Sequence, residues 1–272
     1  MAVLKNFLQD LRRLNVLLPA RRTVSLAQMP PTVSFSFDDF PVSAAHQGAR
    51  ILEDHGFRGT YYLAAGLLGT ATEHGAMASV DDIGRLAANG HEIGCHTHGH
   101  LRAGQVGVEA YAQDLEQNGR AVAQLLGGLE MTSFAFPYGS VTPGAKRAAA
   151  RRFSSCRTTM PRVNRGLTDL NLLSAVPVYA REGYTERAKD FLTDCGRRGG
   201  WLIVYTHDVQ VDHSPCGCTP QQFEEFVRAV VRQGCAVAPV RDVVARATAA
   251  SGRMSPGSPH QIRAAAKTHV AP

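Results

Sequence analysis

The sequence predicts an α/β fold, a barrel of parallel strands alternating with helices, on three observations. Apolar or β-branched runs recur at residues 32–37, 60–64, 92–96, 133–136, 154–158, 172–178, 202–206 and 236–239. Helical patterns lie between most of them, at 43–55, 80–89, 108–126, 142–152, 184–197 and 220–233. Clusters of Asp and His stand at the C-terminal ends of several of the runs. Strands joined through helices form a mostly parallel sheet with covered faces. Six to eight such units fit a barrel better than an open sheet, and a parallel barrel gathers its function at the C-terminal ends of its strands.

Punctuation supports several elements. Ser43 is placed to cap the first helix and Gly56 to end it. Gly90 ends the second, and Thr219-Pro220 opens the last. Ahead of the barrel, Leu4, Phe7, Leu8, Leu11, Leu14 and Leu18 recur at helical spacing. A basic amphipathic helix on a membrane surface is one reading. A helix packed on the domain is the preferred one, because Gln9 and Asp10 dilute the basic face. The expected organisation is therefore a helical extension over 1–30, a catalytic barrel over 31–250, and a disordered Ser-, Pro- and Ala-rich tail over 251–272.

Bulk properties exclude several classes. Of 272 residues, 44% are hydrophobic and 19% charged, which gives a real core and argues against wholesale disorder. No apolar run approaches the roughly 20 residues of a membrane span. Lys5, Asp10, Arg12 and Arg13 interrupt the first 22 residues, so these do not read as a signal peptide. The net charge of +6 permits acidic glycans, phosphates or anionic lipid as partners. No nucleic-acid motif is present. The cysteines at 95, 156, 195, 216, 218 and 235 form no paired C-x-x-C units, so structural zinc and redox chemistry are not expected. Without an export signal they read as reduced thiols, in a cytoplasmic chain that can touch the inner face of the membrane.

Three clusters carry chemistry. Asp38-Asp39 ends the first strand. Neighbouring side chains on an extended chain point apart, so one acid can bind a cation while the other serves as a base. The second cluster runs from His91 to His100 and holds four of the chain's 11 histidines. His96 and His100 are four apart, so a tight loop after the strand brings both imidazoles to one side. His91 precedes the strand and His98 points away in an extended reading, so both are left out. The third is Tyr205-Thr206-His207-Asp208, whose histidine gains weight from sharing a rim with the others. Asp39, His96 and His100 make a two-histidine, one-carboxylate set with open positions. That set suits catalytic zinc, with cobalt or iron as alternatives.

These residues resemble the motifs of the NodB-type polysaccharide deacetylases, the family-four carbohydrate esterases. Ser36-Phe37-Asp38-Asp39 is similar to their Thr-Phe-Asp-Asp, and His96-Thr97-His98-Gly99-His100 matches their His-Ser/Thr-x-x-His. Phe136-Pro137-Tyr138-Gly139 resembles the Pro-Tyr core of the third motif, and Thr206-His207 the Leu-x-His motif, with Tyr205 in the leucine's place. The resemblance covers about 32–245. It implies a distorted (β/α) barrel of about seven parallel strands. It also implies roles: Asp38 as general base, Asp39, His96 and His100 as metal ligands, the Tyr138 backbone N–H as oxyanion donor and His207 as general acid. Two departures stand out. Ala135 and Phe136 occupy the place of an arginine that steadies the base in the family, and the fourth motif's Asp and Trp are not evident. Arg157, near a following strand end, has two readings: it reaches Asp38 in that arginine's stead, or it forms a surface salt bridge.

The implied reaction is metal-dependent removal of acetyl groups from an N-acetylated oligosaccharide, polysaccharide or lipid-linked glycan. The alternatives are hydrolysis of O-acetyl esters on a glycan and a catalytically dead sugar-binding barrel. Loss of Asp38 or His207 would have signalled the last, and neither is lost. The loops at 66–76 and 214–219 read as cleft rims. Tyr62, Tyr179 and Trp201 read as core residues before sugar platforms.

Overall fold

The structure is a computed structural model that describes residues 16–253. Its strands are β1 (Thr23–Ser25), β2 (Thr32–Asp38), β3 (Thr60–Leu63), β4 (Ala71–Thr72), β5 (Gly75–Ala76), β6 (Glu92–Cys95), β7 (Ser133–Ala135), β8 (Ser155–Arg157), β9 (Leu167–Asp169), β10 (Val176–Pro177), β11 (Trp201–Thr206) and β12 (Ala236–Val237). Its helices are α1 (Ala49–Asp54), α2 (Val80–Ala88), α3 (Val108–Leu125), α4 (Pro143–Ala150), α5 (Tyr184–Arg198), α6 (Pro220–Arg232) and α7 (Val240–Arg253).

Seven strands follow the order β10-β11-β2-β3-β6-β7-β8, all paired in parallel, in a curled half-barrel. β2 is its axis. One edge of β2 pairs with β11 from Thr32 to Phe37. The other edge is shared between β12, at Thr32 and Val33, and β3, at Ser36 to Asp38. Beyond β8 a bridge from Arg157 to Leu173 carries the sheet on toward β10, which pairs with β11. This is the expected distorted (β/α) barrel.

Alternation along the strands sorts the core into layers. On β11, Leu202 and Val204 pack with Phe35, Phe37, Phe223 and Phe226 beneath the helices. Trp201, Ile203 and Tyr205 point to a second cluster with Leu170, Leu173, Val240 and Val243. Trp201 is wholly buried and donates its indole N–H to Ser34 Oγ at 2.9 Å.

Several expectations need adjustment. Ser43 precedes a π-helical turn, Ala44–Gly48, that runs into α1, and its side chain caps neither; its Oγ accepts the Val209 N–H at 3.2 Å and ties the start of that turn to the loop after β11. The 172–178 run is mostly turn and bridge, because the chain there switches partners from β8 to β11. The pairs β1–β9 and β4–β5 are antiparallel and lie outside the expected rhythm. β1 places Val24 and Leu26 in the second core cluster, so residues 22–30 are built into the domain. α7 reaches Arg253, three residues past the expected edge of the tail. The amphipathic helix expected from Leu4 lies almost wholly outside the described residues, as does the tail beyond 253. Among the described residues no helix is long and apolar enough to cross a membrane.

Candidate metal centre and active site

Asp38 ends β2 and Asp39 begins the loop, both buried. Asp39 has φ 58, in the left-handed region, so the strand breaks between the two acids and their carboxylates diverge. Asp39, Phe40, Thr97, His100 and Tyr138 are five of the six non-glycine residues with positive φ among those described. Backbone strain concentrates where structure is held for function.

β6 ends at Cys95 and delivers His96 and His100 to Asp39. His100 Nε2 lies 3.2 Å and His96 Nε2 3.7 Å from Asp39 Oδ1. His96 gives its Nδ1 proton to the Ala135 carbonyl at 2.7 Å, which leaves the Nε2 lone pair facing the carboxylate. Asp39 Oδ1 is buried and has no hydrogen-bond donor among the described residues. Burial, then Asp38 and Glu73, push the Asp39 carboxyl up to about 8. Burial pushes His96 down to about 3 and His100 down to about 4, so both imidazoles are neutral at pH 7. An orphaned carboxylate oxygen faced by two lone pairs fits a divalent cation, and the three residues form a group of metal-ligating geometry.

Arg157, at the end of β8, donates to Asp38 Oδ1. Its guanidinium is buried between the rings of Tyr62 and Tyr205, at 5.0 and 4.8 Å from their centres. Burial alone would raise the Asp38 carboxyl, but Arg157, His96 and His207 outweigh it and hold the pKa below the usual value. Asp38 is thus an ionised carboxylate with one oxygen anchored.

Tyr138 sits in the turn Pro137–Gly139, half exposed, with its ring 4.5 Å from that of His100. The turn tolerates little change. A Cβ at Gly139, φ 62, would lie 1.9 Å from Thr159 Oγ1. His207 follows β11 and donates from Nδ1 to the Cys216 carbonyl at 3.3 Å, leaving Nε2 free. Burial lowers its pKa to about 4.

The structure also brings in His74, which lies in the β4–β5 turn and carries no periodic signal. Its Nε2 is 4.0 Å from Asp39 Oδ2, and its ring packs 4.5 Å from that of His207. Its presence between glycines in a rim loop was the available clue. His91 instead accepts the Gly59 N–H and contacts Glu53 at the far end of β6. His98 faces Gln117. Tyr62 is buried beneath Arg157, and Tyr179 packs on Tyr184, Tyr205 and His207. The six cysteines are all free.

Residues 27–153 match a family model described as polysaccharide deacetylase. That stretch holds Asp38, Asp39, His96, His100 and Tyr138 and stops short of Arg157 and His207. No curated protein matches the sequence. Among solved structures, the chain is similar to a chitin deacetylase from Colletotrichum lindemuthianum, with TM-score 0.58 and 18% identity over 80% of this chain and 89% of that one. A family 4 acetyl xylan esterase from Clostridium thermocellum, in complex with a cobalt ion, gives TM-score 0.56 and 16% identity over 78% and 89%. A peptidoglycan N-acetylglucosamine deacetylase gives 0.53 and 15% over 81% and 90%. At these identities the structures speak for the fold. Over residues 27–153 the chain is similar to the polysaccharide deacetylases, and its fold is that of the NodB-type deacetylases.

Proposed function

We propose that the protein is a metal-dependent hydrolase that removes acetyl groups from an N-acetylated sugar or glycan. The observation that carries this is one rim holding a cation-seeking Asp39–His96–His100 group, an anchored ionised Asp38 and a His207 with free Nε2.

Amide hydrolysis needs an activated nucleophile, a stabilised oxyanion and a proton for the leaving nitrogen. A divalent ion, zinc by the chemistry of the donors, polarises the acyl carbonyl and lowers the pKa of water toward about 7 when bound. Asp38 takes a proton from the attacking water, and Arg157 holds its carboxylate in place without touching the substrate. The Tyr138 backbone N–H donates to the oxyanion. His207, whose Nε2 is bare at neutral pH, takes up a proton on that nitrogen during the reaction and gives it to the departing amine, with its Nδ1 pinned by Cys216. The exposed Tyr138 ring, with the Arg102 guanidinium 3.9 Å above its centre, offers a rim on which a sugar can lie. The substrate class is an N-acetylated oligosaccharide, polysaccharide or lipid-linked glycan.

The test is metal analysis of the purified chain with an acetate-release assay on N-acetylated oligosaccharides and O-acetylated xylan, alongside Asp39→Ala. Bound metal and acetate from the N-acetylated set are expected, and Asp39→Ala should lose both. Release from the O-acetylated glycan alone would reassign the reaction to esters. Metal-free, inactive wild type would overturn it.

A further inference from the structure

Asp39 presents its two oxygens to different imidazoles. Oδ1 faces His96 and His100, whereas Oδ2 faces His74. One ligand atom each from Asp39, His74 and His207 lie within 4.8 Å of one another, as do those of Asp39, His96 and His100. The two sets share the carboxylate and nothing else.

The tautomers in the second set follow from their partners. Ser214 Oγ gives its proton to Asp208 Oδ1 at 2.6 Å, because a carboxylate can only accept. The same Oγ therefore accepts from His74 Nδ1 at 2.9 Å. Asp208 is wholly buried and further held by the Ser214 backbone N–H and the Gln210 side-chain amide, at 2.7 and 3.2 Å. This carboxylate–hydroxyl–imidazole chain leaves the His74 Nε2 lone pair aimed at Asp39 Oδ2. His207 is in the same state, its Nδ1 proton on the Cys216 carbonyl. Two imidazole lone pairs and an oxygen of Asp39 converge, and neither histidine presents a proton there. The exposed Glu73 adds a carboxylate 3.7 Å from His74 Nε2. A histidine whose other nitrogen is anchored to a carboxylate relay has the form of a metal ligand.

We propose that Asp39 Oδ2, His74 and His207 form a second site for a divalent transition-metal ion, weaker than the first, whose filling stops the reaction. The binding half stands on this geometry. The inhibitory half rests on the reading of His207 as general acid, since a cation on its Nε2 blocks the nitrogen that must take up and pass on the proton. The second site is the weaker because it shares its carboxylate with the first cation and faces that cation's charge.

The experiment titrates the metal-free full chain with zinc, and separately with cobalt, by calorimetry, and counts the metal retained after dialysis. Wild type is expected to bind two equivalents in two steps. His74→Ala and His74→Gln should bind one, with the first step unmoved, and circular dichroism checks their fold. Ser214→Ala should weaken the second step by about 10–100-fold. Acetate release by wild type should fall as zinc passes one equivalent, and the His74 variants should lose this fall. A single equivalent in wild type, or two in the His74 variants, would overturn the second site and leave the deacetylase reading standing. Two equivalents with undiminished acetate release would overturn the inhibition. No bound metal at all would defeat the first centre too.

Discussion

Arg157 holds Asp38 by charge and by geometry, in a slot made of two tyrosine faces. Its removal should act on the acid more than on substrate binding. Arg157→Ala takes away the charge that keeps the Asp38 carboxyl low, so burial dominates and its pKa rises. The acid limb of the kcat profile should move to higher pH, with kcat falling and KM little changed. Arg157→Lys should shift the limb less, because it keeps the charge without the planar fork. Asp38→Asn should lower kcat by about 10²–10⁴-fold at every pH, the usual contribution of a general base. An unmoved limb in Arg157→Ala would detach this residue from the base. The grouping of Asp39, His96 and His100 was legible from residue type and spacing, since local chain geometry suffices to bring i and i+4 together. His74 was not, because a hairpin of two-residue strands has no period to read.

At the scale of elements, the rim works because its opposite end is tied down. Glu92 opens β6, where its buried carboxylate accepts from Ser133 Oγ at 2.6 Å, Thr60 Oγ1 at 2.9 Å and the Arg241 N–H at 2.8 Å. These contacts tie the starts of β3, β6 and β7 to the first turn of α7. Glu92→Ala strands three buried donors and should cost about 3 kcal/mol of unfolding free energy in urea. Glu92→Gln should cost less. Metal stoichiometry should not change in either, because Glu92 stands at the far end of a strand from His96. The helices were legible through period and caps: Thr219 and Gln222 close a capping box and Thr142 accepts the Ala145 N–H. The capping box of Ser79 and Asp82 was equally open to a reading of the sequence. β1 and β9 were not, because three-residue strands acquire meaning only once their distant partner is known, as when Thr23 meets Asp169.

For the whole molecule, the polar centre makes stability depend on pH and, on the proposed function, on metal. Burial lowers the pKa of His74, His91, His96, His100 and His207. The unfolded chain therefore takes up protons near pH 6.5 that the folded chain refuses until about 3 to 4 at His96, His100 and His207, and stability falls as pH drops through that window. Asp39 has the opposite sign. Raised to about 8, it keeps a proton that the unfolded chain releases near 3.8, so above 6.5 the metal-free protein loses stability as pH rises. Thermal melts of metal-free protein should peak near pH 6.5 on these shifts. Zinc at 100 times its Kd should add about 2.7 kcal/mol and abolish the alkaline fall. Cation binding should release about one proton at pH 7, read from the calorimetric heat in buffers of different ionisation enthalpy. A flat profile between about pH 6.5 and 8 would remove Asp39 from the centre.

The sequence by itself determined the alternation of strands and helices, the parallel barrel, and the motifs at its strand ends. These are local patterns, set by side-chain period, caps and neighbours within a few residues. Tertiary structure alone decided which distant groups meet. Arg157 reaches Asp38 across 119 positions, Ser214 reaches His74 across 140, and one edge of β2 is divided between β3 and β12. Such contacts depend on strand order and loop path, which no local period encodes. The Asp39–His96–His100 group needed only its own spacing to be suspected; its surroundings needed the folded barrel.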